Sequence, residues 1–432
     1  MTPPCLEAYG AIRHEGRLAD RALEYTLRPK RHLYSNERRA VAERVYALVR
    51  RQRTVDALLE RTGPGFGRMS TTAQDRLRIA ASRVLDAEDA SLVARGMGLS
   101  PEEATALGGL ASARRALAAL PSEERFAVEA SFPDALARAW RTEYLDEAVK
   151  AAEAVNTRAP LTIRTNTLKT DRQALRARLR TEGVEATPTP LSPLGLFLLG
   201  HKNAFALQSF RDGLFEIQDE GSQLLGMLVD APPTCVVDAC AGAGGKTLQL
   251  AAQMKNRGEL FALDIDARRL DELRQRARRA GVHNTRVRLL PQQAEAVPEA
   301  LADLVGKADR VLVDAPCTGT GTLRRKPDAR YRFTDEMLAE AVHRQRALLD
   351  EFAPLVKPGG RLVYGTCSVL RAEDESVVEL FLAAHPEFRL LAPADRLGPE
   401  LGPKVSRGDF LRLTTHIHGT DGFFGAILLR PR

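Results

Sequence analysis

Through the first 142 residues, apolar positions recur every three or four residues, the spacing of amphipathic helices. The run "NERRAVAERVYALVRRQRTVDALLER" carries Ala40, Val41, Val45, Leu48 and Val49, then Val55, Leu58 and Leu59, on one rhythm, with Ser35 and Asn36 as its cap. "AQDRLRIAASRVLDA", a run from Pro101 behind Ser100, and another from about Pro133 to Leu145 continue the pattern. The rhythm breaks near Ala159-Pro160. "LTIRTNTL" and "GLFLLG" read as short strands around the helix "DRQALRARLRTEG", which Gly183 closes, so residues 143–230 are expected to form a small α+β module. "APPT" (Ala231 to Thr234) reads as a linker. Beyond it, short apolar runs alternate with helical stretches: "CVVDAC", "ELFALDID", "VRLL", "DRVLVDAP" and "GRLVYGTC" against helices at 267–280, about 297–305 and about 335–356. That alternation predicts an α/β domain over 231–432, a doubly wound and mostly parallel sheet. In such sheets ligands sit at the carboxyl ends of the strands. Here those ends are the glycine-rich turn after Asp238, Asp264, the stretch Asp314 to Cys317, and Thr366-Cys367-Ser368.

Composition narrows the class. At 432 residues, 44% hydrophobic and 28% charged, the chain is predicted to be globular, with two or three domains. It shows no apolar run of membrane-spanning length and no signal-peptide core, so a cytoplasmic protein with no membrane partner is expected. The five cysteines (Cys5, Cys235, Cys240, Cys317, Cys367) are dispersed and form no C-x-x-C pair, which argues against zinc and against a disulfide framework. His416 and His418 would share one face of a strand without a third ligand nearby, so no metal is expected. The net charge of +7 is uneven: residues 1–83 hold 17 Lys/Arg against 9 Asp/Glu, 17 − 9 = +8. Such a block could meet a polyanion or only solvent, and charge alone leaves both open.

The stretch "DACAGAGGKT" ends like a phosphate-binding loop, but the spacing excludes it. A P-loop needs Gly six places before its Lys, where this chain has Cys240. The dinucleotide pattern also fails, because its third glycine position holds Thr247. What remains is a strand, a glycine-rich turn, a helix start, and Asp264 at the end of the next strand, placed to accept from ribose hydroxyls. That layout suits any adenosine cofactor. Two thiols narrow it: "DAPCTGTG" and "GTCS" each set a cysteine just past a strand on the ligand side. One such cysteine would be read as packing. Two at the same rim point to chemistry. Cys240, inside the turn, is expected to pack.

With these motifs, the sequence resembles the Sun/Fmu family of RNA (cytosine-5) methyltransferases over nearly its whole length. "GLFEIQDEGSQL", "DACAGAGGKT", "DAPCTGTGTLRRKPDARYR", "YGTCSVLRAEDESVV" and "HIHGTDGFFGAIL" carry the resemblance. It implies a Rossmann-like S-adenosylmethionine domain over 231–432, an all-helical NusB-like RNA-binding domain over 1–142, and an RNA-binding extension over 143–230. It implies Cys367 as the nucleophile on cytosine C6, Cys317 as the thiol that assists release, and Asp314 on the cytosine edge. The cofactor would lie against Cys240, Ala241, Gly242, Ala243, Gly244, Gly245, Lys246, Asp264, Gln293 and Asp314. Arg324, Arg325, Lys326 and Arg330, next to the Pro-Cys thiol, would contact RNA phosphates. Two departures stand out: the family's turn usually reads Ala-Ala-Pro-Gly-Gly, and an acidic residue usually stands where Gln292 or Gln293 does. Losing the proline removes a φ restraint from the turn. The resemblance implies a monomer acting on RNA, with ribosomal RNA favoured over transfer RNA. The rival reading is a non-catalytic RNA-binding assembly factor.

Overall fold

Alternate residues along each central strand serve opposite faces of one sheet, and this is why its strands read as unbroken apolar runs. Val236, Leu260, Ala262, Leu312, Val363 and Ile427 belong to one buried core cluster. Val237, Leu263, Val311, Val313, Leu362, Tyr364, Ala426 and Leu428 belong to a second. The computed structural model describes residues 2–62, 65–200 and 203–432. It forms two compact units, Met1–Arg158 with Leu323–Asp335, and Ala159–Thr322 with Glu336–Arg432.

The larger unit contains two sheets. Strands β1 (Thr162–Thr165), β2 (Ala186–Pro188), β3 (Gly195–Leu198) and β4 (Phe215–Ile217) form a small antiparallel sheet in the order β2-β3-β1-β4. The predicted helix beside it spans Arg172–Thr181, and Gly183 follows in the left-handed region at φ 71°. The main sheet comprises β5 (Cys235–Asp238), β6 (Glu259–Asp264), β7 (Thr285–Leu289), β8 (Ala308–Asp314), β9 (Val356–Thr366), β10 (Arg389–Leu391), β11 (Ser406–Arg407), β12 (Phe410–Leu413) and β13 (Phe423–Leu429). Its order is β11-β12-β13-β9-β8-β5-β6-β7, with β10 also paired to β13. Strands β9 to β7 are parallel, and β13 runs antiparallel to β9. β5 lies between β6 and β8, so the order reverses at β5, where a ligand crevice is expected in this architecture.

The smaller unit is helical and departs from the sequence reading in several places. The helix expected near Pro133 to Leu145 spans Asp134–Tyr144, and a further helix, Ala148–Val155, follows it. The long basic run is two helices, Ser35–Arg50 and Gln52–Thr62, divided at Arg51 (φ −121°, ψ 19°). Its N-cap is Tyr34, with the Glu37 side chain taking the Tyr34 N–H, and Ser35 is already helical. Val41, Val45, Leu48, Val49, Val55, Leu58 and Leu59 are buried as the pattern predicted. Residues of the basic block, from Cys5 onward, contribute to this core. Several of their charges are consumed in ion pairs, Arg51–Asp86 at 2.8 Å, Arg53–Asp134 at 2.7 Å, and Arg78 with Asp56 and Asp75 at 2.6 and 2.8 Å. Arg21, Arg28 and Arg31 stay exposed around Tyr25. His416 and His418 lie in a single helical turn, Thr415–His418, and not on a strand; Gly419, at φ 71°, ends it.

Candidate active site

β8 and β9 are neighbours in parallel register, with Asp314 opposite Gly365, so the turns after them emerge side by side. These turns carry Cys317 and Cys367, and the two sulfurs lie 3.3 Å apart. The hydrogen bond to Cys367, burial and the negative charges of Cys367 and Glu373 push the Cys317 thiol well up.

A buried carboxylate joins the two turns. Glu373 Oε1 accepts from the Thr318 backbone N–H at 2.8 Å and from Gln345 Nε2 at 2.9 Å. Its Oε2 accepts from the hydroxyls of Thr318 and Ser368. The neighbouring Asp374 accepts from the Thr366 hydroxyl at 2.6 Å and pairs with Arg412, as Glu375 does. Glu373 therefore meets the residues after both thiols and Asp374 the residue before Cys367, whereas the sequence reading gave these acids no role. Three carboxylates directly before an apolar helix, just after Thr-Cys-Ser, were the available signal.

On the β5 side, Lys246 is nearly buried at 9% exposure, and its ammonium lies 2.6 Å from Asp314 and 5.4 Å from the Phe423 ring centroid. The turn Cys240 to Gly245 needs two of its glycines. Gly242 and Gly244 sit at φ 53° and 87°, and a Cβ at Gly244 would meet Leu273 Cγ at 2.7 Å. Arg276 Nη1 donates to the Ala243 carbonyl at 2.8 Å and is itself paired with Glu216 of β4. This clamp supplies a restraint where the turn has no proline. Cys240 is half-buried within the turn. Burial and the carboxylates of Asp238, Asp314 and Asp264 push its thiol far up.

Asp264 ends β6, with Oδ2 accepting from the Gly242 N–H at 2.7 Å and Oδ1 from the Asp266 N–H at 2.8 Å. Each oxygen keeps a further lone pair, so the carboxylate can also accept from two vicinal hydroxyls. The turn, the helix starting at Gly245 and this carboxylate together fit an adenosine-type ligand. Gln293 is exposed in the segment beyond β7, at the same strand-end rim.

The basic run after Cys317 divides. Residues 323–335 belong to the helical unit, where Arg330 is fully buried, donates to the Arg50 carbonyl at 2.8 Å and Asn156 Oδ1 at 2.7 Å, and stacks over Phe132. Burial pushes its guanidinium down to about 10. Arg324 is also buried. Contrary to the sequence reading, neither side chain is exposed to solvent, and Arg330 is committed to Arg50, Asn156 and Phe132. Lys326 is exposed and Arg325 half-buried. Among the described residues no helix is long and apolar enough to cross a membrane, and no cluster of three or more His, Cys, Asp or Glu could hold a metal.

Asp238 is fully buried beneath the turn. Its Oδ2 accepts from the Thr247 hydroxyl at 2.7 Å, Oδ1 has no partner, and burial lifts the group to about 7. A carboxyl raised in the folded state contributes stability that is complete below its unfolded value, about 4. That contribution is lost as pH rises through about 7. In thermal melts, Asp238→Asn should therefore gain Tm relative to the parent as pH rises from about 4 to 7. A constant gap would mean that Asp238 does not titrate in this window.

Comparison with known proteins agrees with the fold. Residues 227–429 match the family model described as 16S rRNA methyltransferase RsmB/F, and residues 132–204 match the ferredoxin-like domain of RsmF/B-like methyltransferases. The chain is 32% identical to a probable ribosomal RNA small subunit methyltransferase B of Synechocystis, over 95% of this chain and 94% of that one. It is 35% identical to the corresponding probable enzyme of Bacillus subtilis, over 69% of this chain and 66% of the relative. The crystal structure of the protein designated PH0851 superposes with a TM-score of 0.78 at 27% identity, over 99% of both chains. With its Rossmann-like sheet, its N-terminal helices and these matches, the chain belongs to the RsmB/RsmF family of 16S ribosomal RNA methyltransferases.

Proposed function

We propose that this chain methylates C5 of a cytosine in 16S ribosomal RNA, using S-adenosylmethionine and a transient bond between Cys367 and C6 of the base. The observation that carries this reading is the pair of thiols 3.3 Å apart at the carboxyl ends of β8 and β9. Aromatic cytosine is a poor nucleophile at C5. Addition of the Cys367 thiolate to C6 makes C5 enamine-like and splits one hard step into two easier ones. When bound, S-adenosylmethionine supplies an electrophilic methyl group. Ala241 to Lys246 and Asp264 would hold it, with Gln293 beside the adenine.

The two sulfurs are within hydrogen-bond reach, so donation from the Cys317 S–H to the Cys367 sulfur would leave the charge of the pair on the nucleophile. The same donor stabilises Cys367 as a leaving thiolate when the C5 proton is lost to water and the C6–S bond breaks. Asp314 hydrogen-bonds the cytosine edge, and the Lys246 ammonium beside it offsets negative charge growing at N3. The target base must leave its stack to reach these groups, so a loop or distorted helix is the expected substrate. Arg325 and Lys326 are the proposed phosphate contacts from the basic run.

The test is transfer of a labelled methyl group from S-adenosylmethionine to 16S RNA, followed by digestion to nucleosides. Label in 5-methylcytidine is the expected result. Label in another nucleoside, transfer only to transfer RNA, or no transfer to either naked RNA or the small ribosomal subunit would overturn the reading.

A further inference from the structure

We propose that Glu373 is a positioning residue that holds the two thiol-bearing turns at their reactive spacing. The inference rests on the chemistry proposed above. One carboxylate accepts four hydrogen bonds, and three come from the residues directly after the cysteines: the Thr318 N–H, the Thr318 hydroxyl and the Ser368 hydroxyl. The fourth, from Gln345, ties the same oxygen to the helix Asp335–Phe352, and Gln345 also donates to the Pro316 carbonyl at 3.1 Å, just before Cys317. Ser368 and Thr320 hydroxyls meet at 3.0 Å and close a ring between the turns. Glu373 is fully buried, and the Tyr364 hydroxyl fixes its backbone by donating to its carbonyl at 2.6 Å. Burying a carboxylate is costly unless its lone pairs are filled, and here they are filled by the residues that set the sulfur positions.

The division of donors provides a sharp test. Oε1 takes two N–H groups that cannot reverse, and Oε2 takes two hydroxyls that can. A glutamine can put its oxygen where Oε1 lies and its amide nitrogen where Oε2 lies, with the hydroxyls turned to accept. Glu373→Gln therefore keeps the geometry and removes the charge, while Glu373→Ala removes both. The measurement is the rate at which diamide closes a Cys317–Cys367 disulfide, read by mass spectrometry. Both thiols lose hydrogen as the S–S bond forms, and the diazene is reduced to its hydrazine. Closure should be severalfold slower in Glu373→Ala and near the parent rate in Glu373→Gln. In the same variants kcat should fall about a hundredfold for alanine, with KM for both substrates unchanged, because a displacement near 1 Å costs about that much. Glutamine should restore most of it. If Glu373→Ala does not fold, Ser368→Ala carries the test by removing one donor, and closure should again slow. Parent-like closure in the folded alanine variant, or in Ser368→Ala if that variant is needed, overturns the inference and leaves the adduct chemistry standing. Slowed closure in a protein that never forms an adduct would support the bracing role and count against the chemistry.

Discussion

Cys367→Ala should abolish methyl transfer, by roughly ten-thousand-fold or more, while the fold and cofactor binding persist. On the proposed chemistry, this change removes the thiol that attacks C6, and with it the covalent pathway. Cys367→Ser should be nearly as inactive, because a hydroxyl is far less acidic than a thiol and ionises too little to attack. Folding should survive either change. Cys367 is only partly buried against its core cluster, and the turn around it is held by Thr366, Ser368 and the backbone. Single-turnover kinetics with labelled cofactor, beside a thermal melt, checks both halves. A variant with alanine at 367 that turned over at a tenth of the parent rate would remove Cys367 from the chemistry.

Gly321→Ala should damage stability and turnover together. A Cβ at Gly321 would lie 2.2 Å from the Gly422 carbonyl oxygen and 2.7 Å from that of Cys367, both backbone atoms that cannot swing aside. The same glycine donates its N–H to the Cys367 carbonyl at 2.9 Å and accepts from the Gly422 N–H at 2.8 Å. The methyl group must therefore push the β9 turn away from the Cys317 turn or break this pairing. Overpacking of this kind costs about 1–3 kcal/mol in stability. A shift near 1 Å in the nucleophile costs about a hundredfold in kcat. Denaturant unfolding and steady-state kinetics measure the two effects. Parent-like values in both would mean that the turns are loose.

These results follow from contacts that the sequence carries only in part. The doubly wound sheet was legible because strands covered on both faces are apolar throughout, and each is followed by a helical stretch. The strand-end placement of Asp264, Asp314, Cys317 and Cys367 came with it. Antiparallel β13 was not legible because its pairing is set by β9, far back in the chain, and β2 and β4, at three residues each, are too short to show a pattern. "RRKPDARYR" read as one basic surface, yet Arg330 is committed to Arg50 and Asn156, residues far away in the chain. Glu373 was missed for a related reason. On the page it is one of three acids ahead of a helix, and only folding brings Thr318 to it. The clamp of Arg276 on Ala243 was equally hidden, since the helix 267–280 shows only an arginine-rich face.

The most direct measurement concerns Cys317. If Cys367 attacks C6 and Cys317 serves release, Cys317→Ala should carry out the covalent step and then stall. Purified with its RNA and run on a denaturing gel, it should show a slow, nuclease-sensitive band that neither the parent nor Cys367→Ala shows. The same band from Cys367→Ala and none from Cys317→Ala would exchange the two roles. No band from either, with both variants merely less stable, would contradict covalent catalysis by this pair of thiols.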